Sequence, residues 1–228
     1  MQKQENTMQK FDTSAPIAAI VDIAAGRLQL IAADRADATV EVRPADPARK
    51  RDVEAAGRTT VSYADGVLRI GGAEGGNQLF GPSGSVEITV QLPAGSRVEA
   101  RSGACELRGV GRLGDVDVDG AHRQIKLDEA ASVRLTAVDG DVVIGRLNGP
   151  AEISTARGDI RVDEAVRGTV VLRTQDGHIT VGAAAGVSAA LDAGTDHGRV
   201  ANTLKNDGTT ELDIRATTSR GDITARAL

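Results

Sequence analysis

Val133–Ile144 reads VRLTAVDGDVVI, and Val170–Val181 reads VVLRTQDGHITV. Each has apolar residues at alternate positions, then Asp-Gly, then a second alternating run. Period two marks strands with one buried face, so each stretch is a strand, a tight turn and another strand. Aligned on the turn glycine, the unit recurs, and the turn column reads Cys105, Arg123, Gly140, Gly158, Gly177, Gly198 and Gly221. Two residues later stand Leu107, Ile125, Val142, Ile160, Ile179, Val200 and Ile223; five residues earlier stand Ala100, Val118, Leu135, Ile153, Leu172, Ala193 and Ala216. Both columns are expected to be buried. So short a unit cannot bury its apolar face alone, and its copies must stack. The fold class that follows is all-β: a parallel β-solenoid of about seven coils, preceded by an irregular strand-rich N-terminal section.

Stacking makes the members of a column neighbours about 4.8 Å apart. Immediately before the turn, Asp139, Arg157 and Asp176 alternate in charge, and His197 and Arg220 continue the line in chain order. Like charges directly opposite one another destabilise a sheet, so the alternation supports the register. Three residues before the turn, Thr155, Thr174, Thr195 and Thr218 form an expected inward ladder. Arg-Gly-Asp occurs twice, as Arg157-Gly158-Asp159 and Arg220-Gly221-Asp222. Each copy falls where a charge column, the turn column and the next column meet. The tripeptide therefore reads as a turn that needs glycine rather than as an adhesion signal.

The expected organisation is a tail over 1–10, a strand-rich section over 11–97 and the solenoid over 98–228, continuous with that section as one domain. In the strand-rich section, VDIAAGRLQLIA from Val21, TTVSYADGVLRIGG from Thr59 and SVEITVQLPAGSRV from Ser85 alternate and break at Gly, Pro or Asp-Gly. Asp46–Gly57, DPARKRDVEAAG, carries the signals of a short helix, with Asp as its cap and Gly at its end. Gly71–Ser85 reads as a loop without the Gly-Lys-Ser/Thr of a phosphate-binding loop. In the linking segments, Leu113, Leu147 and Val166 are candidates for a third inward side.

In FDTSAPIAAIVDIAAGRLQLIAADR, TVEVRPADP, SVEITVQLPAGSRVEARSG, AGTDHGRVANTL and ELDIRATTSRGDITARAL, the chain resembles a bacterial putative-adhesin family of β-strand-repeat proteins of unknown function. The resemblance runs from Phe11 to Leu228. It implies the fold and, through the family's label, a surface location. It brings no catalytic motif.

Composition narrows the function. The only aromatic residues are Phe11, Tyr63 and Phe80, and the formal net charge is -5. Nucleic-acid binding is not expected, because phosphate contacts need a basic stripe and base stacking needs aromatic platforms. No run approaches the roughly 20 apolar residues of a membrane-spanning helix. MQKQENTMQK at the start lacks the apolar core of a secretory signal, so a cytoplasmic location is expected. The lone Cys105 forms no intramolecular disulfide and no cysteine zinc cluster. No cofactor is expected.

The candidate site is an acidic corner of Asp139, Asp141, Asp159, Asp176 and His178. It reads first as a solvated corner offset by Arg157 and His178. Its functional alternatives are a weak cation site suited to calcium and a catalytic carboxylate pair of the glycosidase kind. His178 and His197, in successive repeats, could also form a two-histidine site. The expected function is that of a non-enzymatic scaffold or protein-binding module. Its partner is another protein, or a second copy pairing through the C-terminal coil, Glu211–Leu228. The alternatives are a carbohydrate lyase or hydrolase using the acidic corner, and a surface adhesin.

Overall fold

The computed structural model describes residues 8–72 and 84–228. In chain order the strands are β1 (Gln9–Asp12), β2 (Ala18–Ala33), β3 (Asp37–Pro44), β4 (Thr59–Ala64), β5 (Val67–Gly72), β6 (Val86–Pro93), β7 (Arg97–Asp139), β8 (Asp141–Leu147), β9 (Ala151–Arg157), β10 (Ile160–Ala165), β11 (Gly168–Asp176), β12 (Ile179–Ala183), β13 (Ala189–His197), β14 (Val200–Thr203), β15 (Leu212–Arg220) and β16 (Ile223–Ala227). One helix, α1 (Lys50–Arg58), lies between β3 and β4. The described strands join into one sixteen-stranded sheet.

The repeat columns pair as expected. Ile125, Val142, Ile160, Ile179 and Ile223 are successive register partners, and each is at most 1% exposed. Burying each such side chain contributes about 1.5–3 kcal/mol. A column repeated coil after coil therefore replaces the aromatic volume that the chain lacks. The third inward side is made by Ala130, Leu147, Ala165 and Ala183, all fully buried. Val166 is only partly buried and lies beside this column.

The coil stack departs from chain order at both ends. At the front, β2 pairs in parallel with β7 over its whole length, with Gly26 opposite Cys105 and Leu28 opposite Leu107. The stack thus begins at Ala18, inside the section read as irregular. That coil was hidden because, between Asp34 and Ser96, the chain passes through β3, α1 and β4 and through β5 and β6 on the far side of β2 before β7 returns beside it. At the back, β15 pairs with both β11 and β13, and β16 pairs with both β12 and β14. The C-terminal coil is inserted between two earlier ones. It is not an open end, so pairing of a second copy through Glu211–Leu228 is corrected: both edges of that coil are occupied.

The front end is closed differently. β5 and β6 extend the two faces of β2 in parallel, after which β4, β3 and β1 add antiparallel strands. The β4–β5 hairpin turns at Asp65-Gly66, both with positive φ (51° and 75°), the geometry of a two-residue hairpin turn. β4 and β1 are the outermost strands of the two faces, and their Tyr63 and Phe11 rings meet with centroids 5.5 Å apart. That contact joins the two faces across the end of the core. α1 packs on β3 and β6. It starts at Lys50, later than expected, because Asp46 closes a separate turn by accepting the Ala48 N–H (2.9 Å). The loop expected over Gly71–Ser85 lies mostly outside the described residues. Its return is pinned where buried Asp52 accepts the Ser85 N–H (3.0 Å).

Candidate functional site: the turn corner and the open edge

The corner between the two faces is built on glycine. Gly140, Gly158, Gly177 and Gly221 have φ between +123° and +158°, values that L side chains rarely adopt. Close stacking adds a second constraint. A Cβ on Gly158 would lie 2.3 Å from the Gly140 carbonyl oxygen, one on Gly177 2.1 Å from that of Gly158, and one on Gly221 2.0 Å from that of Gly177. Behind this line the threonine ladder is satisfied internally. Thr174 Oγ1 donates to the Gly158 carbonyl (3.1 Å), Thr218 Oγ1 to Gly177 (3.0 Å) and Thr195 Oγ1 to Gly221 (2.9 Å).

Just after the glycine runs a ladder that the sequence reading missed. Asp141 Oδ1 accepts the Asp159 N–H (2.9 Å), and Asp159 Oδ1 accepts the His178 N–H (2.7 Å). His178 Nδ1 then accepts the Asp222 N–H (2.9 Å), and Asp222 Oδ1 accepts the Arg199 N–H (2.9 Å). Each side chain satisfies a backbone donor one coil further on. The signal was present in the recurrence of Asp, Asp, His and Asp after the turn, all of which can accept a hydrogen bond.

The acidic corner is therefore two columns rather than a cage. Asp139 lies 3.4 Å from Arg157, and Asp176 lies 2.8 Å from Arg220. Asp141, Asp159 and His178 belong to the backbone-capping ladder. Among the described residues no group of three or more His, Cys, Asp or Glu is arranged to hold a metal ion. His178 and His197 are not on adjacent coils, because the inserted β15–β16 coil separates them. The side chain of His122 lies outside the described ones. Cys105 is buried, and that burial pushes its thiol up to about 11, the opposite of an activated nucleophile. Both Arg-Gly-Asp copies are tied into the corner, since Asp159 and Asp222 each accept a backbone N–H and Arg220 pairs with Asp176.

Two surface features remain. A groove of ≈ 730 Å³ runs along the linking corner, where Asp115, Ser132, Asn148, Arg167 and Glu211 face it. The Ser132 hydroxyl there donates to Asp115 (2.5 Å). The second feature is the back end of the stack. β13 pairs only with β15 and β14 only with β16 among the described strands, so their outer edge is open apart from the Ala189 N–H at the start of β13, which donates to the Lys205 carbonyl (2.9 Å). The inward columns show it: Val200 is 46% exposed, whereas Ile223 beside it is 0% exposed. Leu191 and Ala193 are likewise only partly covered.

The chain is similar in fold to solved structures described as a "putative adhesin" from Bacteroides fragilis (16% identity, 98% of each chain covered, TM-score 0.54) and one from Parabacteroides distasonis (13% identity, 96% of each chain, TM-score 0.42). It is also similar to a "putative cell adhesion protein" from Clostridium sporogenes (11% identity, 97% of this chain and 99% of that one, TM-score 0.39). No curated protein matches it significantly. The family model described as Toastrack DUF4097 matches residues 21–227, nearly the whole coil stack. On that match the chain belongs to the Toastrack DUF4097 family.

Proposed function

We propose that this chain is a non-catalytic protein-binding module, a rigid rod that presents its faces and one end to another protein. The observation that carries the reading is the asymmetry of the two ends. The front is sealed by antiparallel strands, α1 and the Phe11–Tyr63 contact, whereas the back keeps a coil of unpaired strand edge and half-covered apolar residues. Open edges are templates for another chain, and main-chain pairing with alternate side chains is a common mode of recognition. A cytoplasmic location is part of the same proposal and is checked by cell fractionation.

The test is site-specific photocrosslinking in cells, with the crosslinker at Gly194 and Asn202 on the open edge and at Thr136 and Val143 on the two faces. A binding module gives discrete protein adducts at one of these positions. Absence of any adduct at all four would overturn the reading.

A further inference from the structure

We propose that the open β13–β14 edge is a twofold self-association surface, on which a second copy of this chain completes the stack. This deepens the binding reading and rests on it. The occupant is identified by how charge is divided along the edge. β13 carries Asp192 and Asp196, while Arg199 and Lys205 flank β14. Among the described residues, Asp192, Asp196 and Lys205 are exposed and have no side-chain ion pair. Arg215, the register partner of Asp192, bridges Asp213 instead (3.0 Å). Arg199 reaches Asp222 only at 3.8 Å, and its side chain is 91% exposed.

The two halves of the edge thus bear opposite charges and meet at the Gly198 corner. A twofold axis through that corner and across the stack lays β13 of one copy antiparallel on β14 of the other. Asp196 then faces the second copy's Arg199, and Asp192 faces its Thr203 with Lys205 as the diagonal neighbour, within reach of a long side chain. A contact that uses the same patch on both copies must be self-complementary in this way. Pairing also covers Val200, Leu191 and Ala193 and satisfies the outward backbone groups on both copies at once. An antiparallel partner closes the assembly as a dimer, whereas head-to-tail stacking would repeat indefinitely.

The test is a charge swap read by sedimentation velocity of the purified full chain over a wide concentration range. The parent is expected to dimerise reversibly. The variant Asp192→Lys/Asp196→Lys makes both halves basic, and Arg199→Glu/Lys205→Glu makes both acidic. Each alone should self-associate at least 10-fold more weakly, and an equimolar mixture should recover a heterodimer, because the two interfaces then match. Thermal unfolding of each variant checks that the coil remains folded. A parent that stays monomeric at every concentration, or a mixture that does not associate, overturns the dimer. Photocrosslinks from the edge to a different protein would leave the binding reading standing while removing this one.

Discussion

The Arg220 guanidinium lies 2.8 Å from the Asp176 carboxylate, across 44 residues of chain, although the repeat that follows Asp176 in sequence ends at His197. The polarity of the corner ladder agrees with the inversion. From Asp141 to Asp222 each residue after the turn accepts an N–H from the next coil, and Arg199 carries only donors. The coil that contains Arg199 stands at the end of that run, and the Asp222 coil precedes it. The ion pair itself is exposed on both sides (67% and 48%), so Arg220→Ala is expected to cost no more than about 1 kcal/mol. The backbone order should appear in hydrogen exchange. Amides of Leu212–Ala227 are expected to be as protected as those of Gly168–Ala183, and those of Val200–Thr203 to exchange much faster. Faster exchange in Ile223–Ala227 than in Val200–Thr203 would refute the insertion.

Deleting 212–228 follows from the same geometry. β13 and β14 have no other partner than β15 and β16 among the described strands, so the deletion should release Ala189–Thr203 as well. Limited proteolysis of the truncated chain is expected to cut within 184–211. Resistance there would show that the outer coil holds without the inserted one.

The glycine corner separates conformational strain from collision. Gly158→Ala combines a positive φ of 130° with a Cβ placed 2.3 Å from a carbonyl oxygen. Gly186→Ala has φ +82° and open space around it. The second change is expected to cost about 1–2 kcal/mol, the range of a strained backbone residue. The first should cost clearly more, since neighbouring coils must move apart. Urea unfolding of both variants decides it, and equal losses would mean that coil spacing imposes no constraint.

Much of this was legible in the sequence, and the limit is physical. Register was readable because a one-residue slip turns every inward side chain outward, so Ile125 to Ile179 could pair in only one way. Coil order was less so, because Ile223 is as good a neighbour for Ile179 as Val200 would be. Arg199, with no acceptor to offer, fits the end of the ladder, but the equally donor-only Arg27 stands between two coils, so side-chain chemistry alone did not decide the order. The role of the acidic corner stayed open for the same reason. Asp141 and Asp159 are close in space and alike in charge, yet each is aimed at a backbone N–H rather than at its neighbour.

Calcium tests that last point. With Asp141 and Asp159 each accepting an N–H and Asp139 and Asp176 paired with arginines, millimolar calcium is expected to leave the unfolding temperature unchanged. His178→Asp should also be neutral, since aspartate performs the same role in the coils on either side. His178→Ala should cost about 1 kcal/mol through the unsatisfied Asp222 N–H. A calcium-dependent rise in unfolding temperature that is lost in Asp159→Asn would restore the corner as a cation site.

Acid should loosen the front of the rod first. Asp37, at the start of β3, is bound by the Arg35 guanidinium and by the Lys10 ammonium (2.7 and 3.1 Å), which hold its carboxyl down at about 2. The folded state thus favours the ionised form. The stabilisation is complete above the ordinary carboxylate range, near about pH 4, and is lost as pH falls through about 2. Asp37→Asn removes this contribution at neutral pH and has nothing left to remove at the acid end. The gap in urea midpoint between parent and variant is therefore expected to be widest above about pH 4 and to close as acid is added. Because β1 pairs only with β3 among the described strands, exchange of the Phe11 amide should rise over the same interval. A gap in midpoint that stays constant from neutral pH down to the acid limit would show that Lys10 and Arg35 do not favour the charged form of Asp37.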